Sequence, residues 1–370
     1  MYTLLKKSII CLLRLSGART ERQGARQKRM RGYQGMRFGE MFRDRSNNLS
    51  LIRVLAAILV ILHHSLVLTM TEQPFGMINF GAVAVYCFFF YGGILILKSA
   101  ERKKNAKDYF RARCLRIFPS LWIVVLLTVF VSGPLLSALP FSGYFGNGET
   151  YRYLLNMVLI PVHTLPGVFQ SNPYGPTVNG SLWTLPVEFV CYILCFVFCR
   201  LGFSDRKKAL YVSPLVVLTA WAAWFALGGN TVLQGAVLPV LFFYLGMLCY
   251  IYRDQIPLTW YGAAAALVIW ALTAKAIYWL VTPFALSYVY LYLGFGTRKK
   301  TDGFMSGKEI SYGIYLAGFP VQQSLISFFP GMPWYANFLA GAALSAGFGW
   351  LITLADQKIS RYLPGRENKP

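Results

Sequence analysis

The feature that most restricts this chain is a series of ten apolar runs, each about 17–22 residues long, which begins after Ser50. A helix needs about 20 such residues to cross the hydrocarbon core of a bilayer. The runs fall at about 51–70, 78–97, 117–135, 179–199, 210–228, 232–252, 258–274, 276–296, 310–329 and 334–355. Inside lipid every backbone N–H and C=O has to be satisfied by the chain itself, so repeated runs of this length fold as helices. The expected fold is all-α: a polytopic membrane bundle of about ten transmembrane helices. Composition agrees, because only 14% of the 370 residues are charged and 56% are hydrophobic. A soluble domain carries about a quarter charged residues.

Charge sets the expected orientation. Lys and Arg number 36 against 14 Asp and Glu, a net +22. Such an excess can mark a nucleic-acid partner, but here the basic residues form short clusters between apolar runs, as in the cytoplasmic loops of membrane proteins. No nucleic acid is expected as a partner; membrane lipids are. With the N-terminus inside, the inner side receives the clusters at 98–116, 200–208, 253, 298–308 and 358–369. Arg152 and Lys275 fall outside, and Arg53 lies at the mouth of the first helix. Both termini are then cytoplasmic.

Residues 1–49 read as a basic cytoplasmic tail, 50–357 as the transmembrane domain and 358–370 as a short basic C-terminal tail. The segment from Ile9 to Leu15 is too short to span and no small-residue cleavage site follows it, so a surface-lying helix near Leu4 to Leu15 is expected instead of a signal peptide. The longest stretch between spans, about 136–178, is external and rich in Gly, Pro, Asn and aromatic residues. A loop of that length is functional or disordered. Its Tyr144, Phe145, Tyr151, Tyr153 and Tyr174 suit stacking on sugar rings, with anchoring at the interface as the plainer explanation. Of seven cysteines none lies in a predicted outer loop, so no disulfide framework is expected. Cys191, Cys195 and Cys199 make a stripe on one helix face, best read as small packing residues; no metal site is expected.

Chemistry enters through the few ionisable residues inside the spans, which are costly there and mark function by default. Arg53 and His64 are eleven positions apart, nearly three full turns, so both project from one face of the first helix about 16 Å apart. Either alone is explained by a snorkelling arginine or a hydrogen-bonded histidine; the shared face singles them out. His63 points about 100° away and reads as structural. Glu188 lies in the fourth span, within Asn179-Gly180-Ser181-Leu182-Trp183-Thr184-Leu185-Pro186-Val187-Glu188. Asn179 or Ser181 can cap that helix. Counted from opposite membrane faces, His64 and Glu188 come to similar depths, and a carboxylate beside an imidazole favours general-base chemistry. Before the third span, Arg113 and Arg116 sit at i, i+3 and face together. With Arg111, Lys103, Lys104 and Lys107 they form a cationic inner vestibule suited to a phosphorylated donor.

Together these elements resemble the acyltransferase-3 family of integral membrane acyltransferases, which modify bacterial surface polysaccharides. Arg53 and His64 meet its Arg-x10-His signature, and Arg113, Arg116, Ile117 and Pro119 its Arg-x-x-Arg-Ile-x-Pro signature. The segment from Leu165-Pro166-Gly167-Val168-Phe169 through Asn172-Pro173 to Glu188 looks like the branch that O-acetylates exopolysaccharide, capsule or O-antigen. Ser311-Tyr312-Gly313-Ile314-Tyr315-Leu316, with Phe319 to Gln323, looks like its late-helix motif. The resemblance covers about 50–360 in order. Two positions depart from it: Tyr91 stands where a serine is common, and Gly318 where a histidine is common. What the resemblance implies is an acyl-CoA donor, usually acetyl-CoA, offered from the cytoplasm, with no permanently bound cofactor, in a protein of the bacterial inner membrane. The acceptor is a hydroxyl of a polysaccharide or lipid-linked glycan. Arg53, Arg113 and Arg116 would hold donor phosphates, His64 would act as base or acyl carrier, and Glu188 would orient it. Trp183, Asn179 and Ser181 would shape the acceptor end. A transporter or flippase also explains ten helices with buried charge, but such proteins show repeats and paired broken helices, which this sequence lacks.

Overall fold

The computed structural model describes residues 37–43, 47–72, 79–103, 105–228, 231–273, 277–297 and 310–362. Ten long helices account for the ten apolar runs: α1 (Leu49–Leu68), α2 (Phe80–Arg102), α3 (Ala106–Leu136), α4 (Gly180–Arg200), α5 (Arg206–Ala226), α6 (Thr231–Ile251), α7 (Trp260–Thr273), α8 (Tyr278–Gly296), α9 (Ser311–Phe328) and α10 (Trp334–Tyr362). Eight are long and apolar enough to cross a membrane. The exceptions are α7, whose 14 residues make the shorter apolar helix, and α9. Residue after residue of α9 from Ser311 to Ile326 is buried against protein, so its composition answers to neighbouring helices and not to lipid. Among the described residues, extended structure is limited to isolated bridges. The expected surface helix near Leu4 to Leu15 and both chain ends lie outside the described residues.

Helix starts follow local chemistry. The side chains of Asn79, Asn105, Asn179 and Asp205 accept from the backbone N–H of Ala82, Lys107, Ser181 and Lys207 at 2.8–3.1 Å, satisfying donors that a helix start leaves orphaned. Helix contacts follow small residues. A Cβ added at Gly93 of α2 would overlap the Phe243 carbonyl of α6, and one at Gly246 would overlap the Phe90 carbonyl. The two backbones therefore touch directly, as small residues permit in membrane bundles. Gly313 of α9 and Gly349 of α10 meet in the same way, which explains the glycine in the late-helix motif.

Beside α8, a short helix (Phe38–Arg43) docks through Phe38 and Phe42 against Phe295 at ring separations of 4.8 and 5.6 Å. Asp254 holds it there, pairing with Arg43 at 2.7 Å and Arg206 at 2.9 Å. The Arg43 hydrogen bond is the main reason that the Asp254 carboxyl sits below its ordinary range.

The long stretch between α3 and α4, expected to be external, is folded. Short helices cover Phe141–Phe145, Gly148–Arg152 and Tyr153–Val158. Asn156 and Val162 exchange hydrogen bonds of 2.9 and 3.1 Å, and Ser137 Oγ donates to the Pro166 carbonyl at 2.8 Å. Leu165, Val168 and Phe169 are buried, so that motif packs the loop onto the bundle.

Candidate functional site

Helix α9 is the spine along which the site is built, and each of its turns meets a different element. At its first turn Ser311, Tyr312 and Tyr315 line a cavity together with Arg53 of α1, Arg113 and Arg116 of α3, and Thr184 and Glu188 of α4. The apolar walls come mainly from α2, with Phe88, Phe89, Gly92 and Leu95. Three guanidinium groups and one carboxylate from three separate helices thus open onto one apolar-walled space. Of the remaining basic residues of the predicted vestibule, Lys103, Lys107 and Arg111 are not among the lining residues, and Lys104 lies outside the described residues.

Arg113 is held by aromatic faces. Its guanidinium lies 5.8 Å from the ring centroids of both Tyr109 and Tyr192, within cation–π range, and reaches Ser99 Oγ at 3.4 Å. Tyr109 hydroxyl donates to the Tyr192 carbonyl at 2.9 Å, and Tyr192 hydroxyl donates to the Glu188 carboxylate. Glu188 and Tyr192 are one turn apart on α4, so the same face that points the carboxylate at the cavity also supplies its donor.

One turn outward on α9, Tyr315 hydroxyl bonds Thr184 Oγ1 at 2.8 Å and donates to the Ser181 carbonyl at 3.1 Å. Next comes Leu316. Pro320 has no N–H to give the Leu316 carbonyl its helical partner, and Asn179 Nδ2 donates to that carbonyl at 2.9 Å. Asn179 Oδ1 meanwhile accepts from Ser181 N–H at 3.0 Å. Asn179 therefore caps α4 and ties it to α9. Ser181 is buried and its Oγ has no partner. Trp183 is absent from the cavity wall; a Cβ added at Gly235 of α6 would lie 4.0 Å from its ring.

Phe319, a further turn out, carries the histidine. The His64 ring packs on it edge-on at 4.9 Å and 74°, and His64 Nδ1 is buried without a hydrogen-bond partner. Phe319 also meets Gly180, where a Cβ would come within 2.7 Å of the ring. His63 turns instead to α2, its ring filling the space a Cβ at Gly81 would take.

This ladder corrects the expected His64–Glu188 pair. The carboxylate accepts from Tyr192, and Nδ1 of His64 accepts from nothing. His64 packs at the level of Phe319, whereas Glu188 lines the cavity beside Tyr312, seven positions down α9, or roughly 10 Å at 1.5 Å per residue. The two depths had been counted from opposite membrane faces. The structure gives the proper reference, with Gly180 at the level of His64 and Glu188 two turns further in.

Above His64, Gln322 Nε2 donates to the Ile61 carbonyl at 2.9 Å, Ser65 Oγ at 2.6 Å and Asn337 Oδ1 at 2.9 Å, fastening α1, α9 and α10. Gln323 binds the outer loop: Asn172 Nδ2 reaches its Oε1 at 2.7 Å, and its Nε2 reaches the Gly175 and Thr177 carbonyls at 3.2 and 2.8 Å. The two departing positions are filled structurally. Tyr91 is fully buried and donates to the Tyr290 carbonyl at 2.5 Å, and at Gly318 a Cβ would already lie 3.2 Å from Ile61. Cys191 and Cys195 are buried in the apolar core.

The residues that the sequence reading missed are Tyr109, Tyr192, Thr184, Tyr315 and Phe319. Their signal was present only as spacing, with Tyr192 four after Glu188 and Tyr315 and Phe319 on consecutive turns of one face.

Comparison with known proteins gives the same answer. A family model described as an acyltransferase domain matches residues 46–354. An O-acetyl transferase of Shigella phage Sf6 is 29% identical over 310 residues, 78% of this chain and 90% of that protein. Nodulation protein 10 of Rhizobium leguminosarum bv. viciae is 25% identical over 314 residues, 76% of this chain and 84% of that protein. No solved structure matches. The chain belongs to this acyltransferase family, as a multi-pass membrane protein.

Proposed function

We propose that this membrane acyltransferase moves an acetyl group from acetyl-CoA to a hydroxyl of a bacterial surface polysaccharide or its lipid-linked precursor, at the inner membrane. The observation that carries the donor assignment is the convergence of Arg53, Arg113 and Arg116 on one apolar-walled cavity. Guanidinium groups recognise phosphate oxygens through paired N–H donors, and CoA is a donor with phosphates at one end and a thioester at the other. The two relatives, an O-acetyl transferase and a nodulation protein, support the acceptor class.

In this reading the CoA phosphates sit among the arginines and the pantetheine arm passes Thr184 and Tyr315 towards His64. The imidazole takes the proton from the acceptor hydroxyl. The oxygen attacks the thioester carbonyl, the C–S bond breaks, and the departing CoA thiolate receives the proton from the imidazolium. An acyl-histidine intermediate fits the same position. Glu188 serves the donor end in either case. With Tyr192 it places one negative charge among the guanidinium groups, offsetting their mutual repulsion while the cavity is empty.

The test is surface polysaccharide from a deletion strain, compared by NMR before and after complementation. O-acetyl signals should vanish on deletion, return with the wild-type chain and stay absent with His64→Ala or the double variant Arg113→Ala/Arg116→Ala, both present in membranes. Unchanged signals in the deletion strain would refute the acceptor class. Full complementation by Arg113→Ala/Arg116→Ala would refute the donor assignment.

A further inference from the structure

Five aromatic residues of the outer loop suit a sugar face by composition, and the structure separates them. Tyr144 and Tyr153 are buried, and Tyr144 commits its hydroxyl to the Val129 carbonyl at 2.9 Å. Phe145 packs among Phe130, Phe141 and Tyr144. Tyr151 is exposed, but its hydroxyl is tied back to the Phe145 carbonyl at 2.9 Å. Tyr174 is different. It is 42% exposed, and its ring lies 6.1 Å from Phe319, which also packs on the His64 imidazole at 4.9 Å.

The segment carrying Tyr174 is braced on both sides. Asn172 and the carbonyls of Gly175 and Thr177 are all bonded to the Gln323 side chain. The ring is thus presented on a fixed edge. At the same end of the bundle three buried polar atoms have unmet hydrogen-bonding capacity: His64 Nδ1, Ser181 Oγ and Gln322 Oε1. Buried groups of this kind call for a partner, and a polyhydroxylated ligand supplies both donors and acceptors.

From these contacts we infer that Tyr174 is the platform for the acceptor's pyranose ring, which rests its C–H face on the tyrosine and turns a hydroxyl towards His64. This assignment rests on the acetyl-transfer reading above. The π-face of an aromatic ring is electron-rich, so it attracts the weakly positive C–H face of a sugar whatever the stereochemistry of the hydroxyl groups around the edge. Selection among hydroxyls then falls to the unpartnered polar atoms at that end, His64 Nδ1, Ser181 Oγ and Gln322 Oε1.

The test uses the full chain in lipid nanodiscs and needs no donor. Saturation-transfer NMR is recorded with methyl glycosides of glucose, galactose, mannose and rhamnose. Wild type should transfer saturation to the ring C–H protons of at least one glycoside. Tyr174→Ala should weaken that glycoside's binding about five- to tenfold, the scale of one aromatic contact. Tyr174→Trp should retain it, and Tyr151→Ala should leave it unchanged. The contact of Tyr174 is that of its ring with Phe319, so truncation removes a surface; the thermal midpoint of each variant checks this. Undiminished binding by Tyr174→Ala, equal loss in Tyr151→Ala, or no glycoside bound by wild type overturns the platform. Acetyl-CoA turnover by the same samples reports separately on the donor. Glycosides bound through Tyr174 with acetyl-CoA untouched would sink the donor assignment and leave the platform; turnover without a Tyr174 effect would do the reverse.

Discussion

Replacing Asn179 by Ala removes two hydrogen bonds with separable energies. The first caps α4 at Ser181 N–H, and losing such a cap costs about 1 kcal/mol. The second joins α4 to the Leu316 carbonyl of α9. Interhelical hydrogen bonds in membrane proteins average about 0.6 kcal/mol and reach about 1.7. This one belongs near the upper end, because Pro320 denies that carbonyl its helical donor. Asn179→Ala should therefore cost about 2–2.7 kcal/mol. Pro320→Ala restores an N–H within reach of the Leu316 carbonyl, so in that background the same substitution should cost only the cap, about 1 kcal/mol. The measurement is a double-mutant cycle by equilibrium unfolding in mixed detergent micelles, read by tryptophan fluorescence. A coupling near zero, with Asn179→Ala costing the same in both backgrounds, would refute the claim that Pro320 creates the acceptor Asn179 fills. Unchanged stability with lost transfer would instead make Asn179 the acceptor-shaping residue that the family resemblance implies.

Three further outcomes are expected. Tyr192→Phe keeps the ring beside Arg113 but removes the donor to Glu188. With the carboxylate only half-buried, the loss should sit at the low end for a charged hydrogen bond, about 1.5 kcal/mol or roughly tenfold in kcat/KM for the donor. An effect under twofold would count against a Glu188 role at the donor end. Gly93→Ala forces a methyl into the Phe243 carbonyl and should cost about 1–3 kcal/mol; an unaltered thermal midpoint would mean that α2 and α6 are not in backbone contact. Asp254 is held below its ordinary range chiefly by Arg43. Its contribution to docking Phe38–Arg43 is complete above the ordinary carboxylate value and is lost as pH falls through the lowered one. Hydrogen-exchange protection of Phe38–Arg43 should fall along that course and should already be low at neutral pH in Asp254→Asn. Protection equal to wild type in that variant would show that the aromatic contacts suffice.

The helices were legible because lipid imposes one length and one composition on anything that spans it. Arg53 and Glu188 were legible for a related reason, being too costly in a membrane to be incidental; Arg113 and Arg116 stood out by their i, i+3 spacing before the third span, and one cavity gathers the four. What failed was relative depth. Hydropathy locates a helix to within a turn or so, and one turn in each of α1 and α4 is enough to separate His64 from Glu188. The tyrosines were hidden for a different reason. Tyr109, Tyr192 and Tyr315 look like interface aromatics in a sequence rich in them, and only their partners distinguish them. Asn179 was read correctly as a cap, but its second bond depends on a proline 141 positions away.

The first helix also acts as a ruler. In the donor reading proposed above, a donor gripped by its phosphates at Arg53 would present its acyl carbon to His64 only if the two ends lie about 16 Å apart, the rise of the eleven positions between them on α1. A small acyl phosphate bound in the same chamber would leave its carbonyl stranded a storey below the imidazole. On that reading length as well as charge would select the donor, and lengthening or shortening α1 by one turn between Arg53 and His64 would retune it.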